Sequence, residues 1–534
     1  MDQFIDSYSN STNYPANLIS STYHNYELQS FQKRLTKAQA SLCCQEKDDR
    51  IKDWGMHMWE CPTSQHNFSS RVVDSEVSLQ NHLRQSPRNY KEDPICRFTF
   101  LHAQNARERL NTTLSMLQDL LSHHQANAGV VDQLLSYGRR KNEQDFSACG
   151  FRAETHISPK RPSVKISELG RSGRHVQLCY TLRTIEDPGK WTMRQTSIYH
   201  CFDVVSGRAF WLIIKANSVI RERLQQTTTS TSGSQKPAFG TPAQCLESAL
   251  SSHFVMCNWA NENWRAYIGE LEVEVHKLTK KAVAYEARSP LSPTTRGSTS
   301  TDIATMGTHE SSLTRRSTLQ RVGTFLIHPL SWKGSPRIQT TTQGSQDLRL
   351  TNINTIDTND DDDDFSIDDM QTIQSVEEKI NSALLVLRTN SDTLSQLRNF
   401  YCTVPERDGW PYDLASLSKD QITQFGALLN NIEYDHKLQQ ARLETLVRLL
   451  ADRKALLYAI IENRNAEANK LLAQRAQESQ EHMENMTKHM SALAEKTQQE
   501  TVSMRIITLV TLFFLPGTFI CVSIATLLLQ SGQD

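Results

Sequence analysis

Five consecutive carboxylates, Asp360, Asp361, Asp362, Asp363 and Asp364, form the densest set of metal-ligand groups in the chain. Two readings attach to them. Carboxylates can hold a hydrated divalent cation weakly, although Mg²⁺ asks for near-octahedral oxygen geometry that an unfixed run supplies poorly. A run of acidic residues is also an ordinary solvated tract. His123-His124 offers two imidazoles, either to a metal or to the negative end of a helix that stops there. Arg315-Arg316-Ser317-Thr318-Leu319 has the basic-then-hydroxyl pattern of a basophilic kinase site, or matches it by chance within a Ser/Thr-rich stretch. Phosphate on Ser317 or Thr318 would change the local charge by about two units. The chain holds no Walker loop, G-x-G-x-x-G, G-x-S-x-G or H-E-x-x-H, so no motif argues for an enzyme.

The elements that would position these groups begin, in order of clarity, at the C-terminus. Ile506 to Leu529 holds no charged side chain. A bilayer span needs about 20 apolar residues, because a helix rises about 1.5 Å per residue across about 30 Å of hydrocarbon. Lys488, Lys496 and Arg505 precede the run, which puts the N-terminal bulk on the cytoplasmic side of a single-pass membrane protein. Pro516 is tolerable inside a bilayer where neighbouring helices or Thr side chains satisfy the freed carbonyl. Upstream, Ala427 to Leu515 lacks Gly and Pro, and Leu443, Leu446, Leu450, Leu457 and Ile460 make one apolar stripe of coiled-coil type. Ile373, Val376, Ile380, Leu384, Leu387, Leu394 and Leu397 mark a second helix. Cys402 to Leu417, with Pro405, Gly409 and Pro411, is the turn between them. The pair reads as a helical hairpin, and so polar a rod calls for partner helices beyond it.

Residues 288–366 are rich in Ser and Thr, poor in aromatics and end in the acidic run, the composition of a disordered linker. The N-terminal half reads as globular. Leu110, Leu114, Leu117 and Leu121 set a helix over Leu110 to His124, with Asn111 or Thr112 as its cap. Val176, Leu178, Tyr180 and Leu182 alternate along a strand. Ser206-Gly207 suggests a two-residue hairpin turn between strands at 197–205 and 208–215. Glu247 to Lys281 returns to helix. The expected architecture is therefore an α+β (α/β-like) N-terminal cytosolic domain over 1–287, a linker over 288–366, a hairpin and coiled-coil stalk over 367–503, and one transmembrane helix over 504–530.

Composition narrows the function further. The formal net charge is -1 over 534 residues, so no global field draws the chain to nucleic acid. Eleven cysteines, without a C-x-x-C pair, read as reduced cytosolic thiols. Met1 to Asn10 has neither the basic nor the apolar region of a secretory signal, so the sequons at Asn10 and Asn111 are expected to be chance matches.

Several segments together resemble a family. They are Phe100-Leu101-His102-Ala103-Gln104 leading to Arg109-Leu110, Trp191 to His200, Phe202-Asp203-Val204 with Gly207 to Trp211, and Asn258-Trp259 with Asn263-Trp264-Arg265. Phe514-Leu515-Pro516-Gly517-Thr518 stands in the apolar run, where Phe514, Pro516 and Thr518 match best. In this order they resemble the CorA-type divalent cation transporters, in particular the CorA-like proteins of filamentous fungi. The resemblance implies a homo-oligomer, a pentamer around a central pore, with Mg²⁺ or another divalent cation as transported or regulatory ion. Met504, Ile507, Thr511, Leu515 and Thr518 would line that pore. Thr511 and Thr518 offer hydroxyls either to ion-bound water or to helix packing and backbone near Pro516. Ala525-Thr526-Leu527 stands where the family carries Gly-Met-Asn, and no second span is visible. The expectation is thus a transporter, or one cut short after its first membrane helix, against a non-transporting anchored protein assembling through its stalk with related two-span subunits.

Overall fold

The central strands are buried on both faces, Cys96–Leu101 and Ala209–Ile214 at every residue, and the chain supplies a helical layer for each face. The computed structural model describes residues 1–45, 55–62, 67–86, 89–104, 108–139, 149–160, 163–187, 189–229, 239–288 and 367–531. The chain opens with α1 (Asp2–Ser9) and α2 (Asn25–Leu42). Then come β1 (Met56–Cys61), β2 (Ser69–Val73), α3 (Glu76–Leu83), the short pair β3 (Arg84–Ser86) and β4 (Asn89–Tyr90), and β5 (Cys96–Leu101). Two helices follow, α4 (Leu114–His123) and α5 (Val130–Leu135). The remaining strands are β6 (Arg152–His156), β7 (His175–Glu186), β8 (Thr192–Asp203) and β9 (Ala209–Ile214). The domain closes with α6 (Ser218–Thr229), α7 (Pro242–Asn261) and α8 (Trp264–Arg288). The hairpin is α9 (Ile367–Thr403) and α10 (Tyr412–Gln530), the latter 119 residues long.

Seven strands pair in the order β2-β1-β5-β9-β8-β7-β6. All pairings are antiparallel except β5 with β9. On one face Phe98, Val176, Leu178, Tyr180, Leu182, Ile198 and Trp211 pack under α7 and the hairpin, reaching Leu394, Leu397, Tyr401, Phe425 and Leu429. On the other, Cys179, Tyr199, Phe210, Leu212 and Ile214 meet α2, α4 and α5. The hairpin therefore shares the core of the sheet. Leu443, Leu446, Leu450 and Leu457 are buried, as are all seven stripe residues of α9, so these two arms cover each other within one chain.

The helix and turn boundaries differ from the sequence reading for local reasons. Leu110 pairs as extended backbone with Cys43 and Ala103, its N donating to Leu42 O at 2.8 Å, and Asn111 N donates to His102 O at 2.8 Å, so the helix starts only at Leu114. The cap is Thr113, whose hydroxyl accepts from Met116 N at 3.1 Å, and not Asn111 or Thr112. The β8–β9 connection is five residues, Val204 to Arg208, rather than two. The Asp203 carboxylate accepts from Val205 N at 3.0 Å and Ser206 N at 2.8 Å, and Gly207 closes the turn at φ +74°. The helix expected over 247–281 breaks at Asn263, which adopts φ +65° while its Nδ2 donates to Ile185 O at 2.8 Å. The hairpin turn is shorter than expected, because helix resumes at Tyr412.

A buried polar cluster fastens the hairpin to the sheet. His253 on α7 shares hydrogen bonds with Tyr180 Oη at 2.7 Å, Tyr401 Oη at 2.8 Å and His200 Nδ1 at 3.1 Å. His200 lies flat on Trp211, with 3.7 Å between ring centroids. Asn390 of α9 caps the backbone of Arg183 in both directions, accepting at 3.1 Å and donating at 2.7 Å.

Two predictions follow from this junction. Gly409 stands at φ +96°, and a Cβ there would run into the carbonyl of Ile157. Gly409→Ala should lower stability by roughly 1–3 kcal/mol, read as a fall in thermal midpoint of the detergent-solubilised chain. Burial lowers His200 to about 3 and His436 to about 4, from 6.5. Because these folded values lie below the unfolded one, the unfolded chain binds protons first, and stability should decline as pH drops below about 6.5 toward 4. Denaturation midpoints measured across that range should fall; midpoints flat from pH 7 to 4 would contradict the burial.

Candidate functional site

Site chemistry sits in two places, the apolar end of α10 and a charged cluster beneath the sheet. Among the described residues α10 is the one helix long and apolar enough to cross a membrane. Met504, Ile507, Thr511, Leu515 and Thr518 follow steps of three and four along it and so share a face, and all are exposed. Phe514 is exposed beside them. Pro516 lies inside the helix without ending it. Its ring removes the bond to the Leu512 carbonyl. The nearby Thr518 hydroxyl donates to Leu515 O at 3.0 Å, not to Leu512, and Thr511 donates to Ile507 O at 2.9 Å. Ser317, Thr318 and Asp360 to Asp364 fall outside the described residues.

Apart from the His123-His124 doublet the charged cluster has no sequence motif, because its members come from six places in the chain. β1 and β5 pair Glu60 directly with Arg97, and the guanidinium Nε donates to the Glu60 carboxylate. His82 of α3 holds the same carboxylate at 2.9 Å. Arg97 Nη1 also donates to His124 Nε2 at 3.0 Å, which sets that nitrogen as the acceptor. Asp93, three residues before β5, meets His123 Nε2 at 3.2 Å through Oδ1 and Arg171 Nε at 2.6 Å through Oδ2. Arg171 Nη1 donates to the carbonyl of His123 at 2.6 Å, and Arg208 donates to the Asp93 carbonyl. Asp93, Glu60, Arg97, His123 and His124 are all buried.

Burial and pairing fix the charges. Burial by itself would raise Asp93, yet Arg171 and the His123 hydrogen bond hold its carboxyl well below the usual range. Glu60 is likewise raised by burial but drawn down to about 2 by Arg97 and His82. Burial lowers His123 to about 4 and takes His124 well below its ordinary value, with His123 and Arg97 adding to the effect. Both imidazoles are therefore neutral near pH 7 and do not act as protonated caps on the helix dipole. His124 instead stacks on Phe210, ring centroids 3.5 Å apart. One atom each from Asp93, His123 and His124 lies within 4.8 Å of the others, a grouping able to hold a metal ion. Beside it a cavity of about 70 Å³ is lined by Arg97, Arg171, His175 and Asp203 among others.

Several of the segments in the N-terminal half that carried the family resemblance prove to be joints of this same domain. Asp203 ties the β8–β9 turn to Ser172, accepting from its backbone N at 2.7 Å. Trp191 Nε1 donates to Glu270 at 2.6 Å, Trp259 Nε1 to Glu186 at 2.8 Å, and Trp264 Nε1 to the Ala260 carbonyl at 2.8 Å. The model of the CorA-like transporters matches residues 6–283, nearly all of the stretch from α1 to α8 that holds the sheet. The chain belongs to the CorA-like transporter family. A search among curated proteins finds no match. The CorA-like match ends before the hairpin, so the pore candidates on α10 lie outside it and stand on helix geometry and apolar character alone. What the CorA-like domain contributes is a transporter-family scaffold whose two faces are closed by helices.

The buried ion cluster makes one quantitative expectation. Asp93→Ala would leave partly buried Arg171 and buried His123 without the carboxylate they share, and should cost about 3 kcal/mol of stability, at the low end for broken buried pairs. Arg34→Ala, which removes a half-exposed partner of Asp132, should cost less than about 1 kcal/mol. Denaturant titrations of the two variants side by side would measure the contrast.

Proposed function

We propose that this chain is a subunit of a CorA-like divalent-cation transporter, with Mg²⁺ as its cargo, oligomeric, and with its sheet domain on the cytoplasmic side of the membrane. The observation that carries the reading is the continuity of α10. It leaves a turn packed on the sheet domain, buries its first stretch against α9, and runs without a break into the apolar segment. Any shift of the domain is thereby linked to the helix that would line a pore. The family supports transport, and Lys488, Lys496 and Arg505 support the orientation.

The hydroxyls on the proposed pore face suit a hydrated cation. Thr511 and Thr518 donate their protons to their own backbone, which leaves oxygen lone pairs outward. Water around a divalent cation presents its hydrogens outward, so an acceptor face receives the hydrated ion without stripping it. Mg²⁺ in particular gives up its waters reluctantly.

The test is Mg²⁺ flux into liposomes holding the purified chain in demonstrated membrane orientation. Flux above empty vesicles is expected. Thr518→Val, which keeps the shape and removes the acceptor, should reduce it several-fold, with a smaller loss for Leu528→Val on another part of the helix. Absence of flux from correctly inserted protein would leave an anchored chain that does not transport.

A further inference from the structure

We propose that Asp93, His123 and His124 form a binding site for a transition-metal dication of the Zn²⁺ or Co²⁺ type inside the sheet domain. The site is separate from the membrane helix, and the inference does not rest on transport.

The donor set is the first argument. Two neutral imidazoles and one carboxylate suit Zn²⁺, Co²⁺ or Ni²⁺, whereas Mg²⁺ prefers an all-oxygen octahedron. Geometry is the second. Ligand atoms around a tetrahedral Zn²⁺ at about 2.0–2.1 Å stand about 3.3 Å apart. His123 Nε2 and Asp93 Oδ1 are 3.2 Å apart, and the atom offered by His124 lies within 4.8 Å of both, so closure needs a ring movement of about 1 Å or a little more.

The surroundings supply what a metal site needs beyond its ligands. Asp93 Oδ2 is held by Arg171 at 2.6 Å, which orients Oδ1 toward His123. Asp93 holds the His123 ring at Nε2, while buried Nδ1 has no hydrogen-bond partner among the described residues and would carry the ring proton once Nε2 turned to a cation. His124 Nε2 accepts from Arg97 Nη1, which also lies 3.8 Å from Asp93 Oδ1, so a cation takes that lone pair as Nη1 turns aside while Arg97 Nε keeps its bond to Glu60. The negative charges of Asp93 and Glu60 balance Arg97 and Arg171, so an incoming dication meets no net positive charge. The cavity lined by Asp93, His124 and Arg171 gives access and room for a fourth, water ligand.

The experiment titrates full-length protein, carrying no added histidines, with Co²⁺ and Zn²⁺ in detergent. One ion per chain is expected, with the visible absorption of a four- or five-coordinate Co²⁺. His124→Gln and His123→Gln should each weaken binding at least tenfold. Mg²⁺ at roughly a thousandfold excess should leave the Co²⁺ spectrum unchanged. Exposed His482 and His489 are the obvious competitors, so His482→Gln/His489→Gln should retain the bound ion. Where a core variant fails to fold, X-ray absorption of Zn²⁺-loaded wild type decides, and scattering from two imidazoles is expected. No saturable binding, binding unaffected in both folded core variants, displacement by Mg²⁺, or a spectrum without imidazole would each overturn the assignment.

Discussion

The structure turns on a sheet whose two faces are both unsuited to water. β7 places Val176, Leu178, Tyr180 and Leu182 on one side, the other side carries Cys179, Tyr199, Phe210, Leu212 and Ile214 from β7, β8 and β9, and all nine are buried. Neither helical layer can be omitted, because each exposed apolar side chain would forfeit about 1.5–3 kcal/mol of burial. One layer comes from α2, α4 and α5, nearby in sequence. The other requires α7 and a hairpin from beyond residue 366. This dependence explains why the hairpin and the sheet share a single core, and why the polar cluster of His200, His253, Tyr180 and Tyr401 sits at their seam. Both nitrogens of buried His253 are held by partners from three other elements, β7, β8 and α9, which fixes how the seam packs.

The parts of the fold that could be read from the sequence are those with a one-dimensional signature. The stripes of α9 and α10 and the alternation in β7 survive because a single buried face repeats at a fixed period. β5 carries no such signal: all six residues, Cys96 to Leu101, are buried, and Arg97 interrupts the apolar run. The break at Asn263 was hidden because the left-handed residue is neither Gly nor Pro and is held by a bond to Ile185, far away in the chain. The Leu110 register suggested a longer helix than exists, since Leu110 is drawn into bridges with Cys43 and Ala103.

The candidate sites divide the same way. The apolar end of α10 was legible from hydropathy and length. In the cluster around Asp93 only the His123-His124 doublet was visible, and its ionisation state depends on burial that no local pattern announces. The one available signal was Arg97 within a strand of aromatic and apolar residues, since a buried guanidinium demands a carboxylate. The family segments were conspicuous for a different reason. Their Trp and Asn side chains stitch loops to strands, so they report the scaffold more than any chemistry.

The exposed middle of α10 carries one last implication. From residue 465 to 505 every side chain faces solvent, about 60 Å of single helix at about 1.5 Å per residue. With its apolar end in a bilayer, the sheet domain would hang several screening lengths from the lipid headgroups, since the Debye length is near 8 Å at physiological salt. Charges on the domain would then be electrically blind to the membrane surface. Bending and twist of the rod would remain as the channel of communication between them.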